Sequence, residues 1–283
     1  MLTLFRNLEK KEADSYSLVL CSAGIFHKMP RDDVGWSLLV REIDRNKAVD
    51  LIESYLSENR EFETGKTTPV PEKFKGTFSG LWGSAIILIF YMALDGSAIA
   101  PAYGSSARHI LDGELFRAVT SLFLHKDIVH LVGNMAALAV FATGVCLFAG
   151  CGAGWFMILL SGAAGNVANA FLHQTGHISI GASTAVFGAL GMLASRRFFV
   201  KLKSEARKMR AWLPIASGLA LLGFMGVGGK ETDLSAHLFG FSAGIIIGLF
   251  YSVLMKRPLV GPWQTLCFLI VSVAVTLSWM MAP

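Results

Sequence analysis

IVHLVGNMAALAVFATGVCLFAGCGAGWFMILLSGAAGNVANAFLHQTGHISIGASTAVFGALGMLAS, residues 128–195, runs for 68 positions without Asp, Glu, Lys or Arg. A stretch this long and this free of charge has room for three membrane-crossing helices of about 20 residues each. Gly150 to Gly154 and His173 to Gly181 are natural breaks, which predicts helices near 128–149, 154–173 and 183–199. Further charge-free runs at 76–94, 211–229, 234–255 and 258–283 bring the expected total to seven spans. The last of these opens with Pro262 and Trp263. The whole chain of 283 residues is 53% hydrophobic and 16% charged, with a mean hydropathy of +0.54. That balance excludes an ordinary soluble domain and fits a multi-span membrane protein.

The charges are segregated. Residues 1–77 hold 12 Lys and Arg against 13 Asp and Glu, and read as a soluble segment. Tyr16 to Ile25 reads as β-rich, Trp36 to Val40 as a second short apolar run, and Arg45 to Glu58 as a helix. That helix carries Ala48, Leu51, Ile52, Tyr55 and Leu56 at helical spacing. This predicts a small α+β domain over 1–62 and a linker over 63–75 with Pro69 and Pro71, ahead of an all-α membrane part. The net charge of +5 comes from the apolar part. Arg196 to Arg210 carries seven Lys and Arg against Glu205, and Lys256-Arg257 forms a second pair. Basic loops of this kind face the cytoplasm, which puts the N-terminal domain inside, residues 95–127 in a long outer loop and the C-terminus outside. No basic, aromatic-studded face suggests nucleic acid as a partner. Cys21, Cys146, Cys151 and Cys267 have neither metal-ligand nor disulfide spacing and read as buried thiols. The N-terminus has no apolar core of a cleaved signal peptide.

Polar residues in the spans mark the chemistry, because polar groups at membrane depth are costly and usually face a cavity or a partner. Ser183 opens the fourth predicted span at its outer end. His237 lies a turn inside the outer end of the sixth, and His130 and Asn134 lie near the outer end of the second. The common depth predicts one water-accessible pocket. Ser183 at a helix N-terminus has free backbone N–H groups around it, able to hold an oxyanion. His237 is placed to take the serine proton and return it to a leaving amine. His130 and Asn134, four residues apart, share one helix face and can both donate toward the oxyanion. Gly240, Gly244 and Gly248 make a small-residue stripe below His237, with Gly188 and Gly191 as candidates to face it. His125, His109, His173 and His177 have no such glycine-lined helix beneath them. Asp233 lies one turn before His237, yet beside Lys230 and Glu231 it reads as a solvated loop charge. The expectation is therefore a Ser–His dyad without a third member. A metal site is not expected, since His125 and His130 are five apart with no glutamate between them.

With these residues in place, the chain resembles the rhomboid family of intramembrane serine proteases from about residue 76 to 255. The pieces are His125-x4-His130-x3-Asn134, Gly181-x-Ser183 and Ala236-His237-x2-Gly240, in the family order and spacing. Glu114-Leu115-Phe116-Arg117 resembles the family's outer-loop motif, with Phe116 where Trp is common. Thr184 stands where Gly usually follows the serine, and Phe187 where an aromatic residue commonly lies under the histidine. The resemblance implies a six-helix core over 76–255 and an additional C-terminal helix over 256–283. It implies Ser183 as nucleophile, His237 as base, and His130, Asn134 and the Ser183 amide as oxyanion hole. Gly181, Phe187, Gly240, Gly244 and Arg117 support them. It also implies no cofactor, single-pass membrane proteins as substrates in a lipid bilayer, and a bacterial inner membrane as location. Two rivals are a catalytically inactive relative that binds membrane helices and a seven-helix transporter. The intact polar residues speak against the first. The lack of paired charges within the spans speaks against the second.

Overall fold

The computed structural model describes residues 1–63, 78–203, 212–226, 233–255, 258–259 and 261–281. The predicted linker beyond Glu63, the basic residues 204–211, Lys230, Glu231 and Lys256-Arg257 lie outside the described residues. The chain divides into two compact units, Met1–Lys73 and Phe74–Pro283.

The first unit is a three-stranded antiparallel sheet with two helices. Strands β1 (Leu2–Leu8), β2 (His27–Lys28) and β3 (Trp36–Val40) lie in the order β1-β3-β2, with Leu2 opposite Val40 and Leu8 opposite Trp36. Helices α1 (Lys10–Ser22) and α2 (Arg45–Glu63) complete a core of Leu20, Leu38, Val40, Ala48 and Ile52. The segment expected to be β-rich, Tyr16 to Ile25, is mostly helix. Leu18-Val19-Leu20 has no period of its own, and the deciding pattern is Ala13, Tyr16 and Leu20, buried on one face while Leu18 is 71% exposed. Glu12 accepts the Glu9 N–H at 3.0 Å and fastens the start of α1. Cys21, expected to be buried, is exposed there.

The second unit is a helical bundle. Helix α3 (Ser79–Ala93) is followed, at a bend of 100°, by α4 (Gly96–Tyr103). The predicted long loop over 95–127 carries short elements of its own. It contains α4, β4 (Ser105–Ser106), α5 (Ala107–Leu111) and α6 (Arg117–Thr120). The long helices are α7 (Ile128–Ala149), α8 (Cys151–His173), α9 (Ser183–Lys203), α10 (Leu213–Gly226), α11 (Leu234–Leu254) and α12 (Pro262–Met281), with β5 (Ile178–Ser179) ahead of α9. Helices α3 and α7 to α12 correspond to the seven expected spans.

Four of these helices, α7, α8, α11 and α12, are long and apolar enough to cross a membrane by themselves, and the bent pair α3–α4 could form a fifth span. Helix α9 falls short because its second half carries Arg196, Arg197, Lys201 and Lys203. Its first half is held by α7, α8, α10 and α11, so protein rather than lipid covers Ala185, Val186, Phe187, Ala189 and Met192. A helix so enclosed has no need of an apolar outer surface. The apolar part of α10, Leu213–Phe224, is shorter than a full span. One polar side chain ties the start of α12 to the turn between α7 and α8. Gln264 donates to the carbonyls of Ala149 and Leu259 at 2.8 and 2.7 Å and accepts the Ala153 N–H at 3.0 Å.

Helices α9 and α11 approach through glycine. A Cβ at Gly240 would collide with the Thr184 backbone, and one at Gly244 with the Gly188 backbone. Gly191 meets the Phe241 carbonyl and Gly248 meets Met192, while Gly188 faces Ser161 of α8. Gly223 on α10 faces open space. Gly244→Ala is therefore expected to destabilise the bundle by about 1–3 kcal/mol through overpacking. Gly223→Ala should instead stabilise it by about 0.5–1 kcal/mol through helix propensity. Thermal unfolding in detergent of the two variants checks this pair of opposite signs.

Candidate active site

The glycine contact sets the depth of two side chains. Ser183 is the first residue of α9, and His237 lies in the first turn of α11. The Ser183 hydroxyl donates to His237 Nε2 at 2.8 Å. The other ring nitrogen, Nδ1, is buried and has no hydrogen-bond partner among the described residues. Phe187, one turn into α9, lies under the imidazole with ring centroids 4.6 Å apart. A cavity of about 1130 Å³ opens here, lined by His130, Asn134, Gly181, Ser183, Phe187 and His237 among others. His130 and Asn134 rise on one face of α7, whose first turn is capped by Asp127 accepting the His130 N–H at 2.8 Å.

Gly181 fits the wall between these groups. Its φ of +134° is one that side-chain-bearing residues rarely adopt, and a Cβ would strike the His130 ring. The Gly181 N–H donates to the Ser121 carbonyl at 2.9 Å, and β5 pairs with β4 through Ser179 and Ser105. The chain entering Ser183 is thereby fixed to the loop before α7. The Asn134 amide nitrogen is buried without a partner among the described residues, a free donor beside this wall. Thr184, where the family usually has glycine, is buried. Its methyl group meets Gly165 of α8 and Gly240 of α11, so two glycines make room for the extra side chain.

Of the other residues singled out by the sequence, Arg117 and His109 do not line this cavity, while Asp233 does. Arg117 is buried in the loop region before α7, donating from Nε to Glu114 at 2.5 Å and from Nη1 to the Pro101 carbonyl at 2.8 Å. It joins α6 to α4 and does not line the cavity. His109 bonds Ser106 at 2.8 Å. Asp233, expected as a solvated loop charge, is instead half enclosed and fully engaged. It caps α11 by accepting the Ala236 N–H at 2.9 Å, and also accepts from Ser235, Asn169 and His177. Burial opposes its charge, yet these hydrogen bonds and the His177 ring hold its carboxyl below the usual range. None of its hydrogen bonds goes to the His237 ring.

Sequence reasoning misses a polar stripe on α8. Asn166 donates to the Ala118 carbonyl and to Ser121, Asn169 donates to Asp233, and His173 meets Ser235. The signal is there to be read: asparagines three apart in a charge-free run need partners. His125 also matters more as a structural group than its sequence context suggests. It is 1% exposed, stands edge-on to His130 at 5.2 Å and receives a long contact from the Ala182 N–H at 3.4 Å.

Burial, with His130 second, pushes the His125 imidazole down to about 4. The unfolded chain, with an imidazole near 6.5, binds the proton first as pH falls. Stability from this group is full above about 6.5 and is lost as pH falls toward 4. Thermal unfolding between pH 7.5 and 5 should show Tm falling, and falling less steeply in His125→Asn; equal slopes in both proteins would remove His125 as the cause.

Comparisons with known proteins identify the family of the bundle. The family profile described as the Rhomboid domain matches residues 112–254, about half of the chain. Rhomboid-like protease 3 of Toxoplasma gondii is 32% identical over 163 residues, covering 57% of this chain and 58% of its own length. Rhomboid protease GluP of Bacillus subtilis is 29% identical over 198 residues, covering 66% of this chain and 36% of its own. RHOMBOID-like protein 1 of Arabidopsis thaliana is 29% identical over 148 residues, covering 52% and 36%. The chain thus spans less than two thirds of the length of each of these three relatives. The polar residues gathered around the cavity, the bundle that holds them and the matched domain lead to one conclusion: this chain is a multi-pass membrane protein of the rhomboid family.

Proposed function

We propose that the chain is an intramembrane serine endopeptidase that works by a Ser183–His237 dyad. The observation that carries this reading is the 2.8 Å hydrogen bond from the Ser183 hydroxyl to His237 Nε2 inside a polar cavity of the bundle. Relatives named as proteases support it, and a hydroxyl already directed at its base speaks against the inactive alternative.

In this mechanism Ser183 Oγ attacks the carbonyl carbon of the scissile peptide as His237 Nε2 takes its proton. The oxyanion of the tetrahedral intermediate is met by the Ser183 amide, His130 and the Asn134 amide nitrogen. His237 then gives the proton to the leaving amine, and an acyl-enzyme remains on Ser183. Water entering the cavity gives a proton to His237 as it attacks the ester, and His237 returns that proton to Ser183 Oγ as the bond to serine breaks and the acid product leaves. Phe187, packed against the imidazole, restricts its movement. The substrates are transmembrane segments of single-pass proteins. A carbonyl in an intact helix is engaged by an N–H four residues on, so the helix must open before cleavage. Helices with small residues and glycine or proline near the cut open most readily. The basic residues from Arg196 onward support a cytoplasmic N-terminal unit and a cavity on the outer side of a bacterial inner membrane.

Ser183→Ala and His237→Ala should each abolish cleavage of a test transmembrane substrate by purified protein while Tm stays near that of wild type. Turnover by either folded variant would refute the dyad. Asp233→Asn retains a capping oxygen and should keep activity within about tenfold; a loss as deep as that of His237→Ala would make Asp233 a third catalytic member.

Losing one oxyanion donor costs about 10²–10³ in rate. Asn134→Ala and His130→Ala should therefore lower kcat far more than they raise KM. Wild-type kcat in both would leave these residues only a packing role.

Because the two compact units divide at Lys73, the membrane unit should carry the chemistry. A chain shortened to begin at Lys73 is expected to insert and to cleave a test substrate within several-fold of the full chain. A folded but inactive product would make the N-terminal unit part of the machinery.

A further inference from the structure

Three side chains unused by the proposed chemistry converge at the end of the bundle that carries the dyad. His173 ends α8, His177 lies in the turn leading to β5, and Asp233 caps α11. One ligand atom from each lies within 4.8 Å of the other two. The imidazoles are stacked, with centroids 3.9 Å apart and planes 14° from parallel. His177 Nε2 donates to Asp233 Oδ2 at 2.5 Å, and His173 Nε2 to the Ser235 hydroxyl at 3.0 Å.

Around them stands a shell that orients the carboxylate. Asn169 Nδ2 donates to Asp233 Oδ2 at 2.7 Å, and the Ser235 hydroxyl and the Ala236 N–H donate to Oδ1 at 2.8 and 2.9 Å. Asn169 is 1% exposed, and its amide oxygen has no partner among the described residues. A pocket of about 550 Å³ opens onto all three candidate ligands, and His177 and Asp233 also line the dyad's cavity.

We propose that His173, His177 and Asp233 form a binding site for Zn²⁺, with solvent completing the coordination. Two imidazole nitrogens and one carboxylate oxygen are a ligand set that zinc takes readily with its fourth position open. Magnesium and calcium, which favour all-oxygen surroundings, are poorly served by it. Each Nε2 frees its lone pair by passing its proton to Nδ1, a change of tautomer without redox chemistry. The His177–Asp233 hydrogen bond opens in the process, because two ligands on a tetrahedral ion with bonds near 2.0–2.2 Å sit about 3.4 Å apart. The imidazoles also turn out of their stack, since each lone pair lies in its ring plane and two stacked, nearly parallel planes cannot both contain the ion. Asn169 and Ser235 keep the carboxylate directed at the ion, as supporting groups do around metal ligands.

The ligands come from three stretches: the end of α8, the turn that leads to Ser183, and the start of α11 one turn ahead of His237. An ion there joins all three and closes part of the cavity mouth. Bound zinc is therefore expected to slow cleavage. This consequence rests on the protease reading, whereas binding itself does not.

The test uses the full chain in detergent, stripped with a chelator and titrated with Zn²⁺. Calorimetry reads affinity, and elemental analysis after desalting reads stoichiometry. One ion per chain is expected. His173→Gln, His177→Gln and Asp233→Asn should each weaken binding by about tenfold or more, and Asn169→Ala by about tenfold. His237→Gln should bind zinc as wild type does, which separates this site from the dyad. Thermal unfolding verifies that each variant is folded, and Asp233→Asn keeps the α11 cap. No binding by the folded wild-type chain at about 100 µM zinc would overturn the proposal. So would binding that survives all three ligand substitutions, or binding lost in His237→Gln. Zinc binding without any effect on cleavage would overturn the inhibitory consequence and leave the site standing.

Discussion

The backbone approach of α9 and α11 is the contact on which the rest of the bundle depends. Ser183 and His237 sit on different helices, and their hydrogen bond needs both helices at one depth and one separation. Gly240 against Thr184 and Gly244 against Gly188 set that separation, because there any larger residue would meet a peptide backbone. Gly165 of α8 meets the same point from a third side, next to the Thr184 methyl group. In lipid, where apolar side chains gain little from leaving their surroundings, such close packing carries much of helix association. The distance from hydroxyl to imidazole is thus inherited from packing one and two turns below.

Around that contact the protein assembles polar groups in a place where they are costly. Asn166 and Asn169 on α8 find carbonyl, hydroxyl and carboxylate partners in the loop region before α7 and at the start of α11. Arg117 is satisfied by Glu114 and the Pro101 carbonyl. Buried hydrogen bonds therefore hold the loop helices over the bundle, alongside the apolar contact of Ala107, Ile110 and Ala118 with Ala170. Two groups left without protein partners among the described residues, the Asn134 amide nitrogen and His237 Nδ1, belong to residues that line the cavity. A cavity with free donors is suited to an incoming carbonyl oxygen or to water.

Much of this is legible in the chain. The absence of charge over 128–195 defines α7 and α8 closely, because nothing but a membrane or a large core tolerates such a run. Ser183 and His237 are readable since each stands at the mouth of an apolar helix, at the same expected depth. What escapes depends on tertiary partners. Tyr16 to Ile25 reads as strand because three adjacent apolar residues carry no period, while the burial of Ala13, Tyr16 and Leu20 is decided by the sheet beneath them. Asp233 reads as solvated because its neighbours in sequence are charged, whereas its partners Asn169 and His177 are 64 and 56 residues away. Residues 95–127 read only as a long loop because α4, α5 and α6 are too short to show periodicity. Helix α9 reads as a span by composition alone, yet the helices around it replace lipid on its first half.

The central claim is that Ser183 is an activated nucleophile, and a fluorophosphonate probe tests it most directly. Labelling requires an ionisable hydroxyl beside a base and an oxyanion hole to receive the phosphonyl oxygen. Mass spectrometry of the labelled, folded full chain should find the adduct on Ser183, with labelling lost in Ser183→Ala and strongly reduced in His237→Ala. A folded wild-type chain that takes up no probe, or takes it up at another residue, would contradict the account.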